Sequence, residues 1–307
     1  MPIHRFGLLI WLIVWGLVAI SQGQQMITEF KNLGIQDGLS HRSVYCVVQD
    51  HMGFMWFGTR QGLNRYDGYE FKVFLHDDND STSLFHDNIS CLLMDSQHRL
   101  WVGTYTSGLN RYDFDHERFI RYRYDPNDTS SVSNDQIRCI FEDRQGDIWV
   151  GTLQGLNRLN PDQHSFTRYF DREGATGIHE LFSIATLFQD HTGEYWLGTF
   201  AGLKGWDINT SSIRSYQHRA SDPRSLTYNN VWSMVEDSLH QLWIGTGNGL
   251  NRLDSTRTRL IRYFYTPESR AENPSRMSIW KLLLDSDGTL WGATIGSGLI
   301  RYSTIRN

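Results

Sequence analysis

Short apolar segments alternate with polar turns along most of the chain, and the alternation keeps a fixed register. Each unit opens with an apolar segment that is β-branched at its start and lies six residues before an Asp. These segments begin at Val44, Ile89, Ile137, Ile184, Val231 and Ile279. Runs this short are typical of strands buried on both faces, and the units show no helical period.

Three further segments complete each unit. The predicted second strand carries a tryptophan, and these tryptophans recur at intervals of 45 to 48 residues at Trp56, Trp101, Trp149, Trp196, Trp243 and Trp291. A threonine and then a Gly-Leu pair follow, and this pair opens the third strand. The fourth segment is rich in aromatic residues, as in 71–74 and 119–122. Recurrence at this interval indicates a repeat architecture.

Four short strands in a unit of about 47 residues predict the blade of a β-propeller, so we expect an all-β fold with six repeats. Residues 27–30 have the pattern of a lone fourth strand, and the last unit stops after its third strand, at 298–302. We expect these two segments to pair and close the ring, which would remove exposed sheet edges.

A tight turn is predicted between the first two strands of each unit. It starts at an Asp and has a Gly three residues later, as at Asp143 and Gly146. Asp accepts hydrogen bonds within such a turn, and Gly adopts the positive φ that the turn requires. His98 and His240 replace the Gly in two units. We interpret both as turn residues, because His tolerates this conformation better than most residues.

The first 21 residues differ from the repeats. Arg5 is followed by an uncharged apolar run over residues 6–20 and then by small residues that suit a cleavage site. This predicts a signal peptide over 1–21, a single propeller domain over 22–307 and a periplasmic or extracellular location. The run is short for a membrane span, and an uncleaved N-terminal anchor is the alternative. The net charge of −5 indicates no surface for nucleic acid.

Motifs for catalysis are missing from the sequence. None of the four lysines follows a phosphate-binding loop, and there is neither a nucleophile elbow nor a zinc-protease motif. We therefore expect no enzymatic activity, no cofactor and no metal, with calcium at the Asp-rich segment 77–80 as an alternative. Cys46, Cys91 and Cys139 share one position in three units, and we interpret them as small buried residues.

The candidate site lies where the sequence departs from the repeat. The second residue of the first strand varies among the units, as Tyr45, Ser90, Arg138, Ala185, Trp232 and Trp280. If that strand is innermost, these side chains line the mouth of a central channel, on the side of the long loops between blades. The predicted ligand-binding residues are Tyr45, Arg138, Tyr228, Trp232, Arg276 and Trp280. Packing between blades is the alternative role for each of them.

Residues 143–158 read Asp-x-x-Gly-x-Ile-Trp-Val-Gly-Thr-x-x-Gly-Leu-Asn-Arg. This unit resembles the two-component regulator propeller repeat, and the resemblance covers about residues 27–303. In that family such propellers are the extracytoplasmic sensor part of hybrid histidine kinases or diguanylate cyclases, and many are linked to recognition of polysaccharide fragments. Family rings are typically seven-bladed and often paired, so the resemblance implies, as the alternative to six blades, that the repeats form part of a seven-bladed or double propeller. The resemblance implies a sensor domain without catalytic residues, with a membrane sensor kinase as a partner; the kinase output domain is not in this sequence.

We therefore predict an extracytoplasmic propeller that senses a ligand on its long-loop side. The ligand is an oligosaccharide or a small molecule, and we expect it to be a carbohydrate. One alternative is a propeller-type glycosidase or polysaccharide lyase, which would need paired carboxylates in the channel. The first strands supply few acids, Glu142 and Glu236 at their far ends, which weighs against this alternative. A protein-interaction scaffold is the third possibility.

Overall fold

The computed structural model of the protein describes residues 32–170, 183–263 and 278–303. Within the unit formed by residues 34–307, these residues form six antiparallel sheets arranged as a β-propeller. The one helical element among the described residues is a short 3-10 helix, Ile35–Asp37. The predicted all-β propeller is confirmed.

The first three blades each have four strands that pair in sequence order. Blade one comprises β1 (Val44–Gln49), β2 (Met55–Thr59), β3 (Gly62–Tyr66) and β4 (Phe71–Phe74). Blade two comprises β5 (Ile89–Met94), β6 (Leu100–Thr104), β7 (Leu109–Asp113) and β8 (Arg118–Tyr122). Blade three comprises β9 (Ile137–Glu142), β10 (Ile148–Thr152), β11 (Gly155–Leu159) and β12 (Phe166–Tyr169).

The last three blades follow the same order, and the sixth has three strands among the described residues. Blade four comprises β13 (Ile184–Gln189), β14 (Tyr195–Thr199), β15 (Gly202–Asp207) and β16 (Ser212–Tyr216). Blade five comprises β17 (Val231–Glu236), β18 (Leu242–Thr246), β19 (Gly249–Leu253) and β20 (Leu260–Tyr263). Blade six comprises β21 (Ser278–Leu284), β22 (Thr289–Ile295) and β23 (Gly298–Ser303).

The first strands of neighbouring blades, β1, β5, β9, β13, β17 and β21, contact one another in that order and are innermost. Five of these strands start at the predicted residue, and the sixth starts one residue earlier, at Ser278. We call the side that carries the long loops between blades the loop face. The opposite side, which carries the Asp turns, is the turn face.

The repeat tryptophans lie in the core between blades. Trp56, for example, is fully buried in one cluster with Ile89 and Val102 of blade two. Each indole N–H donates to the Asp carboxylate of its own blade at 2.7 to 2.9 Å, in the pairs Asp50–Trp56, Asp95–Trp101, Asp143–Trp149, Asp190–Trp196, Asp237–Trp243 and Asp285–Trp291. The repeated Asp therefore connects the turn to the core, beyond its predicted role in the turn.

The Asp turns have the predicted geometry. Asp143 Oδ1 accepts hydrogen bonds from the backbone N–H groups of Gln145 and Asp147, at 3.0 and 2.9 Å. Gly146 has φ 84°, and His98 and His240 have φ 62° and 58° at the equivalent position. The two histidines are thus confirmed as turn residues.

A close approach explains the Gly that precedes the repeat threonine. A Cβ atom placed at residue 151 would lie 2.5 Å from Cys139 Sγ and 3.0 Å from Ile184 Cγ2 of the next blade. Any side chain there would therefore force the blades apart. The same approach explains why the innermost strands of blades one to five have a small residue at the cysteine position.

The junction between blades six and one differs from the other five. At those five, the β-branched residue near the start of the innermost strand is fully buried, at Ile89, Ile137, Ile184, Val231 and Ile279. The equivalent Val44 is 38% exposed, and Trp291 is partly exposed whereas the other five repeat tryptophans are fully buried. Residues 27–30 lie outside the described residues, so their pairing with 298–302 stays a prediction.

Candidate functional site

Each innermost strand has a β-bulge at the residue that breaks the repeat. In blade three, Ile137 pairs with Thr152 and Cys139 pairs with Gly151, so Arg138 is left without a partner. The same shift occurs in all six blades, and the unpaired residues are Tyr45, Ser90, Arg138, Ala185, Trp232 and Trp280. Bulges often occur beside functional sites, where they redirect a side chain.

These six residues line one cavity of about 230 Å³ between the innermost strands, which we call the central cavity. All six are partly exposed, while a fully buried β-branched residue precedes five of them. The structure thus brings together Tyr45, Arg138, Trp232 and Trp280, four of the residues predicted to bind a ligand.

Aromatic rings form one wall of the central cavity. The rings of Trp232 and Trp280 lie 4.9 Å apart at their centroids and are tilted by 30°. Phe200 meets Trp232 edge-on at 5.2 Å. The mutual packing of these rings accords with the inter-blade role considered for them, but their partial exposure leaves ring surface available to a ligand.

Arg138 lies on another part of the wall. Its guanidinium carbon is 4.7 Å from the centroid of the Tyr105 ring, a cation–π distance. Arg138 Nη2 makes a long hydrogen bond of 3.4 Å to Gln136 Oε1. Arg138 Nε is buried and has no hydrogen-bond acceptor among the described residues. The side chain is therefore held in place while one of its donors remains unpaired.

Sequence reasoning missed Tyr105, Phe200 and Lys281, which also line the central cavity. Tyr105 and Phe200 directly follow the repeat threonine, and the residue at that position varies as Arg60, Tyr105, Leu153, Phe200, Gly247 and Ile295. That variation is a second departure from the repeat and could have identified both aromatics. Lys281 occupies the cysteine position in blade six, and that substitution was its signal.

The other two predicted ligand-binding residues belong to loops. Tyr228 is 45% exposed, and its ring lies 2.9 Å from where a Cβ atom would stand at Gly247. Gly247 is the repeat equivalent of Tyr105 and Phe200, so Tyr228 is near the rim on the loop face. It is not among the residues that line the central cavity. Arg276 lies outside the described residues.

Cys46, Cys91 and Cys139 are free thiols that line the central cavity. Burial raises the pKa of Cys91 to about 11 and the pKa of Cys139 to about 12, while the nearby Lys281 ammonium acts in the opposite direction. The thiols are therefore protonated at neutral pH, which disfavours them as nucleophiles or metal ligands.

The two acids considered for an enzyme have structural partners on the turn face. Glu142 accepts a hydrogen bond from the backbone N–H of Ser96 in the preceding blade at 2.8 Å. Glu236 accepts one from His191 in the same way, also at 2.8 Å. Both lie at the opposite end of the innermost strands from the bulges, so they give no support to a paired-carboxylate site in the central cavity.

A histidine and carboxylate cluster also lies on the turn face. His191, Glu236 and His240 place ligand-type atoms within 4.8 Å of one another. The two imidazole rings are stacked 3.8 Å apart at an angle of 19°, a poor arrangement for in-plane coordination of a shared ion. Arg257 Nη2 already donates to Glu236 Oε1 at 2.6 Å. We therefore assign the cluster to an ion-pair network and not to a metal.

Asp190 belongs to the same network and gives the protein a predicted acid sensitivity. Burial opposes the charged form, but hydrogen bonds from Thr192, Trp196 and Arg257 outweigh it and lower the pKa of Asp190 to about 2. A carboxylate with a lowered pKa stabilises the fold above its unfolded value of about 3.9, and that contribution is lost as the pH falls toward 2.

We expect Asp190→Asn to destabilise the protein most above pH 4. The difference in unfolding free energy between the wild type and this variant should shrink steadily from pH 4 to pH 2, where the wild-type carboxyl becomes protonated. Urea unfolding at a series of pH values measures this directly. A difference that stays constant over the range would show that the charge of Asp190 contributes nothing.

The Asp-rich segment 77–80 uses its carboxylates within its own loop. Asp77 Oδ1 and Asp80 Oδ1 accept hydrogen bonds from the backbone N–H groups two residues later, each at 2.8 Å. Arg121 of blade two donates to the carbonyl oxygens of Asp80 and Ser83 at 3.0 Å. The carboxylates of Asp77 and Asp80 therefore stabilise turns in their own loop. These contacts give no support to the calcium alternative.

A second depression, of about 470 Å³, lies on the outer part of blade four. Its charged residues are already paired, because Arg214 binds Glu194 and Asp207 Oδ1 accepts the backbone N–H of Asn209 at 2.9 Å. The central cavity has unpaired donor capacity and exposed ring surface, and it is therefore the better candidate for a ligand site.

Four segments of the chain match the two component regulator propeller family, over residues 38–61, 83–106, 131–154 and 225–248. Each match runs from the loop before an innermost strand, through the Asp turn, to the residues that follow the repeat threonine. The chain carries two component regulator propeller repeats. The matched segments form the first two strands of blades one, two, three and five, and for these repeats the resemblance seen in the sequence is confirmed.

Proteins similar to this chain include components of two-component systems. Over 73 residues, which are 24% of this chain and 5% of the relative, the chain is 42% identical to histidine kinase P4 of Formosa agariphila. The extracellular domain of a protein described as a hybrid two component system from B. thetaiotaomicron matches with a TM-score of 0.76 and 26% identity, over 89% of this chain and 35% of that one. The repeat chain thus spans about a third of that domain, to which it is homologous.

More distant propellers include enzymes. A catalytically inactive virginiamycin B lyase from Staphylococcus aureus matches with a TM-score of 0.60 and 13% identity, over 91% of this chain and 89% of that one. At this identity the similarity shows the fold alone.

As for membrane attachment, the described residues include no helix with the length and apolar character to cross a bilayer. The predicted signal peptide, residues 1–21, lies outside them.

Proposed function

We propose that this repeat protein is an extracytoplasmic ligand-sensing propeller that binds the end of a carbohydrate chain in the central cavity. The observation that carries the proposal is the convergence of all six repeat-breaking residues on one cavity, each placed there by a β-bulge. A purely structural position would be expected to repeat, as the neighbouring β-branched residues do. Homology to an extracellular sensor domain supports the sensor role.

The lining suits a sugar better than a large apolar ligand. Trp232, Trp280 and Phe200 offer ring surface, and Tyr45, Ser90 and Arg138 offer hydrogen-bonding groups. Ligand sites typically combine an apolar, aromatic lining with a few placed polar groups. A volume of about 230 Å³ is below the usual range of about 300–1,000 Å³ for drug-sized ligands. The cavity would therefore take one end of an oligosaccharide, with the rest of the chain over the loop face.

The proposal also includes export and a signalling partner. Residues 1–21 would direct secretion, and the propeller would report ligand binding to a membrane sensor kinase, either in a longer protein or as a separate chain. The homology to a two component system sensor supports this link. The cysteines are free, and they are compatible with export because their raised pKa values keep the thiols protonated and unreactive.

Trp232→Ala is expected to weaken oligosaccharide binding more than tenfold, about 1.4 kcal/mol, because it removes the centre of the aromatic wall. Calorimetry with an oligosaccharide selected on a glycan array measures the change. Tyr69→Ala is the matched control, because Tyr69 is an aromatic residue that is 93% exposed on the turn between β3 and β4.

Unchanged affinity in Trp232→Ala would place the site elsewhere. Loss of cooperative unfolding in that variant would instead support the packing role of the aromatic wall. The variant is expected to remain folded, because a partly exposed aromatic pair contributes only about 0.5–1.5 kcal/mol beyond its buried area.

A further inference from the structure

The charges around the central cavity are of one sign. Among the described residues that line it, the charged side chains are Arg138 and Lys281, and none is a carboxylate. The chain as a whole has a net charge of −5, so this local excess of positive charge runs against its composition. A concave site with charges of one sign focuses the potential and attracts the opposite charge.

Arg138 has the free donor that such a ligand would need. Its Nε is buried without an acceptor, and leaving a buried donor unpaired costs about 1–3 kcal/mol. Two arginines on the fourth strands, Arg168 and Arg262, differ from Arg138 in this respect. Their Nε groups donate to carbonyl oxygens of the loops between blades at 2.8 and 2.7 Å. Arg252 Nε is also unpaired, but that guanidinium lies against the rings of Trp243 and Tyr263 and does not line the central cavity.

The position of Arg138 is fixed before any ligand binds. The bulge in β9 directs the side chain, and the Tyr105 ring and Gln136 hold its guanidinium. A planar guanidinium held in this way can bind a carboxylate through two parallel N–H···O bonds, which an ammonium cannot do. Lys281, on the innermost strand of blade six, adds a second positive charge to the same space.

We propose that the central cavity selects an acidic sugar, whose carboxylate binds Arg138 while its ring lies against Trp232 and Trp280. This inference rests on the proposed function and adds the chemical class of the ligand. It places a uronic acid residue at the bound end of the oligosaccharide. Arg138 is the residue that determines specificity, and the aromatic wall supplies affinity that acidic and neutral sugars share.

The test compares acidic trisaccharides with their carboxyl-reduced forms. Calorimetry would use α-1,4-linked trigalacturonate and β-1,4-linked triglucuronate, each beside the matching neutral trisaccharide. We expect at least one acidic probe to bind ten or more times tighter than its neutral form, with an affinity that falls as salt is added. Arg138→Gln should abolish this preference, and Arg138→Lys should restore only part of it, because it keeps the charge but not the fork.

Lys72→Gln serves as the control for loss of positive charge, because Lys72 lies on the outer strand β4 and is 45% exposed. Equal binding of acidic and neutral probes, or a preference that survives in Arg138→Gln, would overturn the inference. If neutral probes bind as tightly as acidic ones and their binding depends on Trp232, the proposed function holds and only the preference for an acidic sugar is wrong. Failure of both acidic probes to bind would also overturn it.

Discussion

Replacing Trp149 with Ala is expected to lower the free energy of unfolding by about 3–5 kcal/mol. Trp149 is fully buried, and its ring packs on Tyr169 of its own blade and Tyr195 of blade four at 5.3 Å each. Its indole N–H also donates to Asp143 Oδ2 at 2.7 Å. The substitution would therefore leave a cavity between two blades and remove a hydrogen bond from a buried carboxylate.

Trp291→Ala is the matched control, because Trp291 makes the same hydrogen bond, to Asp285 at 2.8 Å, but is partly exposed. We expect it to cost clearly less than Trp149→Ala in urea unfolding. Equal costs would show that the partial exposure of Trp291 does not reduce its contribution to stability. A cost for Trp149→Ala below about 1 kcal/mol would contradict the role of the tryptophan as the inter-blade core.

Replacing Arg257 with Met is expected to lower the unfolding free energy by a similar amount, about 3–5 kcal/mol, because it strands two buried acids. Arg257 Nη2 donates to Asp190 at 2.8 Å and to Glu236 at 2.6 Å, and all three side chains are less than a tenth exposed. Its guanidinium also lies over the Trp196 ring at 5.4 Å. Each of the other five blades has an arginine of its third strand over the equivalent tryptophan, as Arg158 lies over Trp149.

Arg214→Met, on β16 of blade four, provides the comparison. Arg214 also lies over Trp196 and pairs with Glu194, but its side chain is half exposed. Pairs of this kind contribute about 0–1 kcal/mol, so the control should change stability little. Equal changes in the unfolding free energy for the two substitutions would show that burial does not strengthen the contribution of the Arg257 network to stability.

The fold could be predicted from the sequence because its signals are local and repeated. The start of the first strand, the Asp turn and the inter-blade tryptophan each appear six times, and random variation cannot imitate that register. The hydrogen bond from Trp149 to Asp143 was not predicted, because a separation of six residues shows a contact only once the turn between them is known. The closing strand at 27–30 remains a prediction.

The candidate site was predicted in part, through the positions that do not repeat. Arg138 and Trp232 were identified from that variation alone, and the structure places both in the central cavity. The bulge that directs them could not be read from the sequence, because an extra residue in a strand appears only in the pairing register. Tyr105 and Phe200 were missed because they directly follow the second strand, where only the recurring residues were considered.

The most direct test of the account is a crystal structure of the protein with the oligosaccharide that binds it most tightly on a glycan array. We predict a sugar ring against Trp232 and Trp280, an oxygen atom of the ligand within hydrogen-bonding distance of Arg138 Nε, and the remainder of the chain over the loop face. A glycan bound elsewhere, such as in the depression near Glu194 and Arg214, with the central cavity free of ligand, would contradict it.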